Sequence, residues 1–375
     1  MTVLLAGGGS AGHVNPLLAL ADTLRAENPQ QQIVVIGTAD GLEAELVPAA
    51  GYELQLIEKV PLPRRPNRDL LALPVRLRRA RNQVIDLIRA RKVKVVVGFG
   101  GYVSPPAYLA AKKLGIPVVI HEQNARPGIA NKLGAKWAHA VAVTFAATPL
   151  PGSVLTGLPL RPQIARVVAE LDSADRAEVR RTARAELSLD EHAPLLLVTG
   201  GSLGAQHLNE VVSELAPELL GAGVQVLHLT GKGKLGPVRA AVESVAGAAN
   251  YHAQEYCDRM ELAIVAADLV LCRSGAGSVS ELAAIGAPAI LVPLPIGNGE
   301  QRMNAQDLLG VGGALLVEDA QFDAAWFRNH ALPLLTTVAG REELANMAAK
   351  AHSVGVRDGA HRLAELVRQV RSAGE

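Results

Sequence analysis

Residues Val270 to Asn304 read VLCRSGAGSVSELAAIGAPAILVPLPIGNGEQRMN. The run from Asp268 to Cys272 predicts a buried strand, and Arg273 to Ser278 is too rich in glycine and serine to carry a core. Val279 to Ile285 predicts a helix ended by Gly286 and Pro288. A second buried strand, Ala289 to Pro293, leads into a loop from Ile296 to Arg302. A strand, a small-residue turn and a helix N-terminus make an anion site, because free backbone N–H groups and the helix dipole point at one spot. Glu281 lies in the first turns of that helix, where a carboxylate can accept hydrogen bonds from a sugar diol. The stretch predicts a nucleotide-sugar pocket, with a plain βα turn as the competing reading while it stands alone.

The rest of the chain repeats this layout. Thr2 to Ala6 predicts a strand, followed by Gly-Gly-Gly-Ser-Ala-Gly-His and a helix from about Pro16 to Arg25. Gly7, Gly9 and Gly12 fit the dinucleotide fingerprint, which also requires an acid at the end of the second strand, about 20 residues on. Here that strand, Ile33 to Ile36, ends in Gly37-Thr38 and Asp40 comes late. NAD is therefore discounted and a phosphate-type loop retained. His13 projects from this loop at the carboxyl end of a strand, where open α/β sheets place ligands; a structural cap is the alternative.

Further strands are expected at Val93 to Val97 and Pro117 to His121, each followed by a polar or glycine-rich turn. After the second come Glu122, Gln123 and Asn124. Strand alternation puts Glu122 and Asn124 on one phase as site candidates and leaves His121 and Gln123 to structure. Ala140 to Thr144 and Val154 to Thr156 complete a first α/β unit, and a second begins at Leu195 with the turn Gly200 to Ala205. The expected domains are 1–162 and 163–344, with a helical tail from about 345 to 375, interrupted by a breaker region around Gly355 to Gly359, packing back on the first. The fold class is α/β: two doubly wound, Rossmann-like domains facing across a cleft.

Bulk properties narrow the function. A length of 375 residues favours two domains. A hydrophobic content of 49% against 19% charged excludes a disordered chain. Net charge is +1, so no global field argues for nucleic acid. The two cysteines, Cys257 and Cys272, have neither metal-ligand nor disulfide-framework spacing, which predicts a reducing compartment. Met1 to Ala6 runs straight into a strand, which predicts no signal peptide, and no uninterrupted apolar run is long enough for a transmembrane helix.

Between Pro61 and Lys92 the composition shifts to basic. Arg64, Arg65, Arg68, Arg76, Arg78, Arg79 and Arg81 are interleaved with Leu70, Leu71, Leu73, Val75 and Leu77. That mixture suits a peripheral contact with anionic lipid on the cytoplasmic side of the membrane. A solvated helix face with a buried reverse side explains it equally well. RNA is disfavoured, since no aromatics are interleaved for base stacking.

Six ordered motifs carry a family resemblance: GGGSAGHVNP, GFGGYVSPP, HEQNARPGIANK, TGLPLR, GGSLGAQHLN and CRSGAGSVSELAAIGAPAILVPLPIGNGEQRMNA, spread from Gly7 to Ala305. Together they resemble the MurG family of bacterial transferases (glycosyltransferase family 28), which add N-acetylglucosamine to lipid I in peptidoglycan synthesis. The resemblance implies a GT-B fold, UDP-GlcNAc and lipid I as substrates, and peripheral attachment to the anionic inner leaflet of the cell membrane. Cell-wall or division proteins are implied as partners.

By motif, Ser10, Ala11 and Gly12 would lie near the donor sugar and diphosphate, and Asn124 would contact the GlcNAc. Arg161 and Ser202 would serve the diphosphate side. Ala276, Gly277, Ser278, Val279, Ser280 and Glu281 would surround diphosphate and ribose, with Glu281 on the ribose hydroxyls. Gln301 would reach the sugar, and Cys257 holds a position where backbone groups meet uracil. Gly100, Gly101 and Tyr102 fall to the acceptor side with the basic stretch. The chain departs from the usual pattern at Ser10-Ala11, commonly Thr-Gly; at Ala276-Gly277-Ser278, commonly Ala-Leu-Thr; and at Leu158, often Asn.

The implied reaction is an inverting transfer needing a base and stabilisation of the departing diphosphate. No Asp-x-Asp pair is present to bridge a metal, and no cofactor is called for. Helix N-termini, loop amides and Arg161 would carry the charge. His13 is the first choice of base, its ordinary pKa of about 6.5 suiting neutral pH, and Glu122 the second. The rivals are a GT-B enzyme acting on a small metabolite and a nucleotide-binding module without chemistry.

Overall fold

The computed structural model describes residues 2–60, 69–201 and 203–373. The chain divides into two compact units, Met1–Arg161 with Asp358–Glu375, and Pro162–Arg357. The first is built on β1 (Thr2–Gly7), β2 (Gln32–Gly37), β3 (Glu53–Leu56), β4 (Val93–Gly100), β5 (Val118–Glu122), β6 (Ala140–Val143) and β7 (Val154–Leu155). These form one sheet in the order β3-β2-β1-β4-β5-β6-β7, with every pairing parallel. β1, β4 and β5 are apolar runs buried almost throughout, because helices cover both faces of a parallel sheet.

The second unit follows the same plan on β8 (Leu195–Thr199), β9 (Gln225–Leu229), β10 (Tyr251–Gln254), β11 (Leu269–Cys272), β12 (Ala289–Leu291) and β13 (Ala314–Leu316). Their order is β10-β9-β8-β11-β12-β13, again all parallel. In both sheets the order reverses beside the first strand, between β1 and β4 and between β8 and β11. Open α/β sheets bind ligands at the carboxyl ends of the strands flanking such a reversal. The four glycine turns read from the sequence follow these four strands.

Two helices begin earlier than the sequence predicts. One runs Ala11–Glu27 and not from Pro16, so His13 stands in its first turn. Another runs Ala276–Ile285 and so includes Gly277 and Ser278. First-turn N–H groups have no intrahelical partner anyway, so poor helix formers are tolerated there and look like loop in the sequence.

The tail breaks at the expected place, between Val354 and Gly359, but only its second helix belongs to the first unit. Val338–Val354 packs within the second unit against the helix Ala276–Ile285. Gly359–Ala373 packs on the helix Ala11–Glu27 and on β4 and β5 of the first, burying Leu363, Ala364, Val367 and Val370.

Candidate functional site

The β1 loop of the first unit is held from several sides. Ser10 caps the helix Ala11–Glu27 in an extended conformation (φ −146°), yet its side chain makes no cap hydrogen bond, and no acid occupies the first turn. The amide dipoles at this end are left for an anion. The Ser10 hydroxyl instead meets His13 Nδ1 at 3.0 Å, and the Gly8 carbonyl lies 3.1 Å from the same nitrogen. Burial pulls the imidazole below its ordinary pKa, opposed by the Gly8 carbonyl and the negative field of Glu43.

The β4 turn presses on this loop. Gly101 has φ +79°, and a Cβ there would come within 2.4 Å of the Gly8 carbonyl oxygen. A Cβ on Gly100 would lie 3.2 Å from His13 Nε2. Ser104, fully buried, locks the turn: its hydroxyl reaches the carbonyls of Gly100 (2.7 Å) and Ala6 (3.0 Å) and accepts the Gly100 N–H at 3.0 Å. The neighbouring Tyr102 is exposed.

Glu122, at the end of β5, is 2% exposed. Its Oε1 accepts the Asn124 N–H at 2.9 Å, and its Oε2 accepts the Gly128 N–H at 3.0 Å and Asn131 Nδ2 at 2.9 Å. Burial raises its pKa, with these hydrogen bonds opposing. The carboxylate therefore folds the loop that carries Asn124. His121, fully buried, contacts the Gly157 carbonyl at 2.9 Å, and burial lowers its pKa to about 4.

In the second unit, the helix Ala276–Ile285 starts at Gly275 with no side-chain cap and no acid in its first turn. Ala276 and Val279 are buried, Gly277, Ser278 and Ser280 half-buried, and Glu281 lies 9% exposed on the sixth residue. Gln301 sits not in a loop but in the short helix Glu300–Asn304, and its Oε1 accepts the Leu294 N–H at 2.9 Å. Cys257 is buried, which pushes its thiol pKa up. Ser202 lies outside the described residues.

Arg161, half-buried, is the last residue of its unit's first segment. A cavity of about 680 Å³ opens between the helices Gln206–Glu214 and Leu235–Val242, lined by Ser213, Pro217 and Val238 among others. No site residue predicted from the sequence lines it. Among the described residues no group of three or more His, Cys, Asp or Glu could hold a metal ion.

The basic stretch resolves into a helix. Arg64, Arg65 and Arg68 lie outside the described residues; Arg76, Arg78, Arg79 and Arg81 lie on the helix Asp69–Arg91. That helix buries Ala80, Val84, Ile85 and Ile88, and Leu73 and Leu77 pack against the same core. Two leucines expected beside the arginines at a surface are thus half-buried against the core, while Val75 remains 52% exposed. No helix among the described residues is long and apolar enough to cross a membrane.

Three contributors escaped the sequence reading. Glu43, on the helix Glu43–Ala49, accepts the Gly9 N–H at 2.7 Å. Arg273 donates from Nη1 to the carbonyls of Val292 (3.2 Å) and Pro293 (3.1 Å), fixing the chain after β12. Lys234 donates to the Leu203 carbonyl at 2.8 Å, clamping the turn after β8. Each binds backbone far away in sequence, a relation no local motif signals.

Comparison with known proteins agrees with this geometry. The glycosyltransferase family 28 N-terminal domain matches residues 3–143, and the family 28 C-terminal domain matches residues 195–363. The UDP-N-acetylglucosamine–N-acetylmuramyl-(pentapeptide) pyrophosphoryl-undecaprenol N-acetylglucosamine transferase of Bifidobacterium longum (strain DJO10A) is 50% identical over 386 residues, covering 98% of this chain and 97% of its own. The transferase of the same name from Clavibacter michiganensis subsp. michiganensis is 51% identical, covering 100% and 98%. Among solved structures, MurG of Acinetobacter baumannii superposes with a TM-score of 0.77 at 27% identity, covering 98% of this chain and 99% of that one. The calicheamicin glycosyltransferase CalG4 shares the fold alone, with a TM-score of 0.66 at 18% identity, covering 99% of this chain and 98% of that one.

Two parallel sheets with glycine-rich turns at their reversal points, together with the two matched family domains, identify a glycosyltransferase of the GT-B fold. The chain belongs to glycosyltransferase family 28, among the MurG transferases.

Proposed function

We propose that this protein transfers GlcNAc, with inversion, from UDP-GlcNAc to the 4-hydroxyl of MurNAc in undecaprenyl-pyrophosphoryl-MurNAc-pentapeptide, converting lipid I to lipid II. The observation that carries the reading is the pair of helices, Ala11–Glu27 and Ala276–Ile285, whose N-termini are left without side-chain caps or first-turn acids. Such ends stabilise a diphosphate that gains charge as it leaves.

In this reading the second unit holds the donor. Ala276 to Ser280 supply the amides, Glu281 the ribose contact, Gln301 the sugar contact, and the segment at Cys257 the backbone against the base. Ser202 and Arg161 add to the diphosphate side. Ser10, Ala11, Gly12 and Asn124 approach the donor sugar, and Gly100, Gly101 and Tyr102 serve the acceptor. The acceptor oxygen bonds to the anomeric carbon, the bond from that carbon to the diphosphate oxygen breaks, and UDP departs with the electron pair.

His13 takes the hydroxyl proton. It is preferred over Glu122 because the Glu122 oxygens already accept three N–H donors. Peripheral attachment to anionic lipid on the cytoplasmic face, through Arg76, Arg78, Arg79 and Arg81, belongs to the same reading. So does work beside cell-wall and division proteins.

The test is incubation with radiolabelled UDP-GlcNAc and a lipid I analogue, following label into the lipid fraction. Wild type is expected to transfer label, with Glu281→Ala and His13→Ala each losing most of it. Wild-type binding of UDP-GlcNAc with no transfer to lipid I would sink the acceptor assignment.

A further inference from the structure

Glu43 is 0% exposed, and no ion pair to it is found among the described residues. Its Oε1 accepts the Thr38 N–H (2.9 Å) and the Thr38 hydroxyl (3.0 Å), and its Oε2 accepts the Gly9 N–H (2.7 Å). Burial acts to raise its pKa, but the hydrogen bonds outweigh that and hold the carboxyl below the usual range, so it stays charged. Room for it depends on a missing side chain in the β1 loop: a Cβ on Gly8 would stand 2.6 Å from Oε1.

The Gly9 N–H and the Gly8 C=O belong to one peptide bond. In a trans peptide the two point in opposite directions. One side of this unit therefore faces Glu43 and the other faces His13 Nδ1, at 2.7 and 3.1 Å. A carbonyl only accepts, so its contact assigns a proton to Nδ1 and leaves the Nε2 lone pair as the basic position. An anion on the N–H side polarises the amide and strengthens its carbonyl as an acceptor.

We propose that Glu43 is a positioning residue for His13, acting through the Gly8–Gly9 peptide to fix the Nδ1–H tautomer and favour the imidazolium formed on proton transfer. It does for His13, through a peptide unit, what a carboxylate does directly in a carboxylate–histidine pair. The inference rests on His13 being the base.

The groups facing His13 can be named. They are the Gly8 carbonyl, the Ser10 hydroxyl, Glu43 behind the loop, and Asn131 across Gly100, itself held by Tyr108 and Glu122. Glu43 is the charged group acting on the ring to favour imidazolium.

The experiment is steady-state transfer across pH by wild type, Glu43→Gln, Thr38→Val and His13→Ala. Glu43→Gln should lower kcat on the order of tenfold, with donor KM within about twofold. Its acid limb should move to lower pH, because removing an anion makes His13 less basic. Thr38→Val, which trims the anchor without touching the shared peptide, should lower the melting temperature and leave the limb in place. Glu43→Gln with an unmoved limb, beside an inactive His13→Ala, overturns the relay alone. An active His13→Ala overturns the base assignment as well. If Glu43→Gln does not fold, 15N–1H correlation of the His13 ring in wild type decides: Nδ1–H is expected, and an Nε2–H tautomer overturns the proposal.

Discussion

Arg273 and Asp319 form an ion pair at 2.5 Å, with 11% and 19% of their side chains exposed. Arg273 directly follows β11, and its donation to the Val292 and Pro293 carbonyls ties the glycine-rich turn after β11 to the chain leaving β12. Arg273→Ala would leave Asp319 nearly buried without its cation and should cost about 2 kcal/mol or more of stability. UDP affinity should fall on the order of tenfold, as the released segment must be ordered on binding. Chemical denaturation and calorimetric titration with UDP measure the two effects; unchanged UDP affinity would leave Arg273 a purely structural residue.

Tyr108, fully buried, donates to Asn131 Oδ1 at 2.8 Å while Asn131 Nδ2 donates to Glu122. Asn131→Leu removes the middle of this chain and strands both a phenol and a carboxylate. We expect a loss of about 2–4 kcal/mol, larger than for Tyr108→Phe, which deletes one donor and leaves the Glu122 contact intact. Equal melting temperatures for the two variants would argue against a connected network.

His121 and His228 are fully buried histidines, one in each unit, whose pKa values burial depresses to about 4. The unfolded value is about 6.5, so between these limits the unfolded chain binds more protons and stability rises with pH. The contribution is complete above about pH 6.5 and is lost as pH falls through 4. Between pH 6.5 and 5 each histidine should give up about 2 kcal/mol. Urea unfolding over this range measures the slope, and His228→Gln should flatten it; an unchanged slope would count against the buried neutral ring.

Arg76, Arg78, Arg79 and Arg81 on one described helix offer a membrane test. Wild type should sediment with vesicles rich in phosphatidylglycerol, and added salt should release it. Reversing all four charges should weaken binding by roughly 1 kcal/mol or more per residue. Equal binding to neutral and anionic vesicles would remove this helix from the docking surface.

Not every part of the site was equally legible. The turns at Gly7–Gly12, Gly98–Gly101, Gly200–Gly204 and Arg273–Gly277 announce themselves because a buried apolar strand ending in small residues is a local signal. The helix starts at Ala11 and Ala276 were missed for one shared reason: glycine, serine and alanine in a first turn resemble a loop. His121 and Glu122 illustrate the limit of alternation. The period separates His121, turned to the Gly157 carbonyl, from Glu122. It does not reveal that Glu122 folds its own loop through Gly128 and Asn131.

The basic stretch shows the same division. Its charge was readable, but Leu73 and Leu77 lean half-buried against the core because the rotation of the helix Asp69–Arg91 is set by packing against β-sheet and helix neighbours.

From its sequence alone this protein was determined to be two parallel α/β units with phosphate-type turns and a transferase motif set, since strand period, glycine turns and motif order are properties of neighbouring residues. Only the tertiary structure decided that Glu43 sits beneath the first glycine loop, that Arg273 holds the chain beyond β12, and that one peptide stands between Glu43 and His13. Those contacts join residues about 20 to 35 positions apart, and strand order, not sequence proximity, brings them within hydrogen-bonding distance.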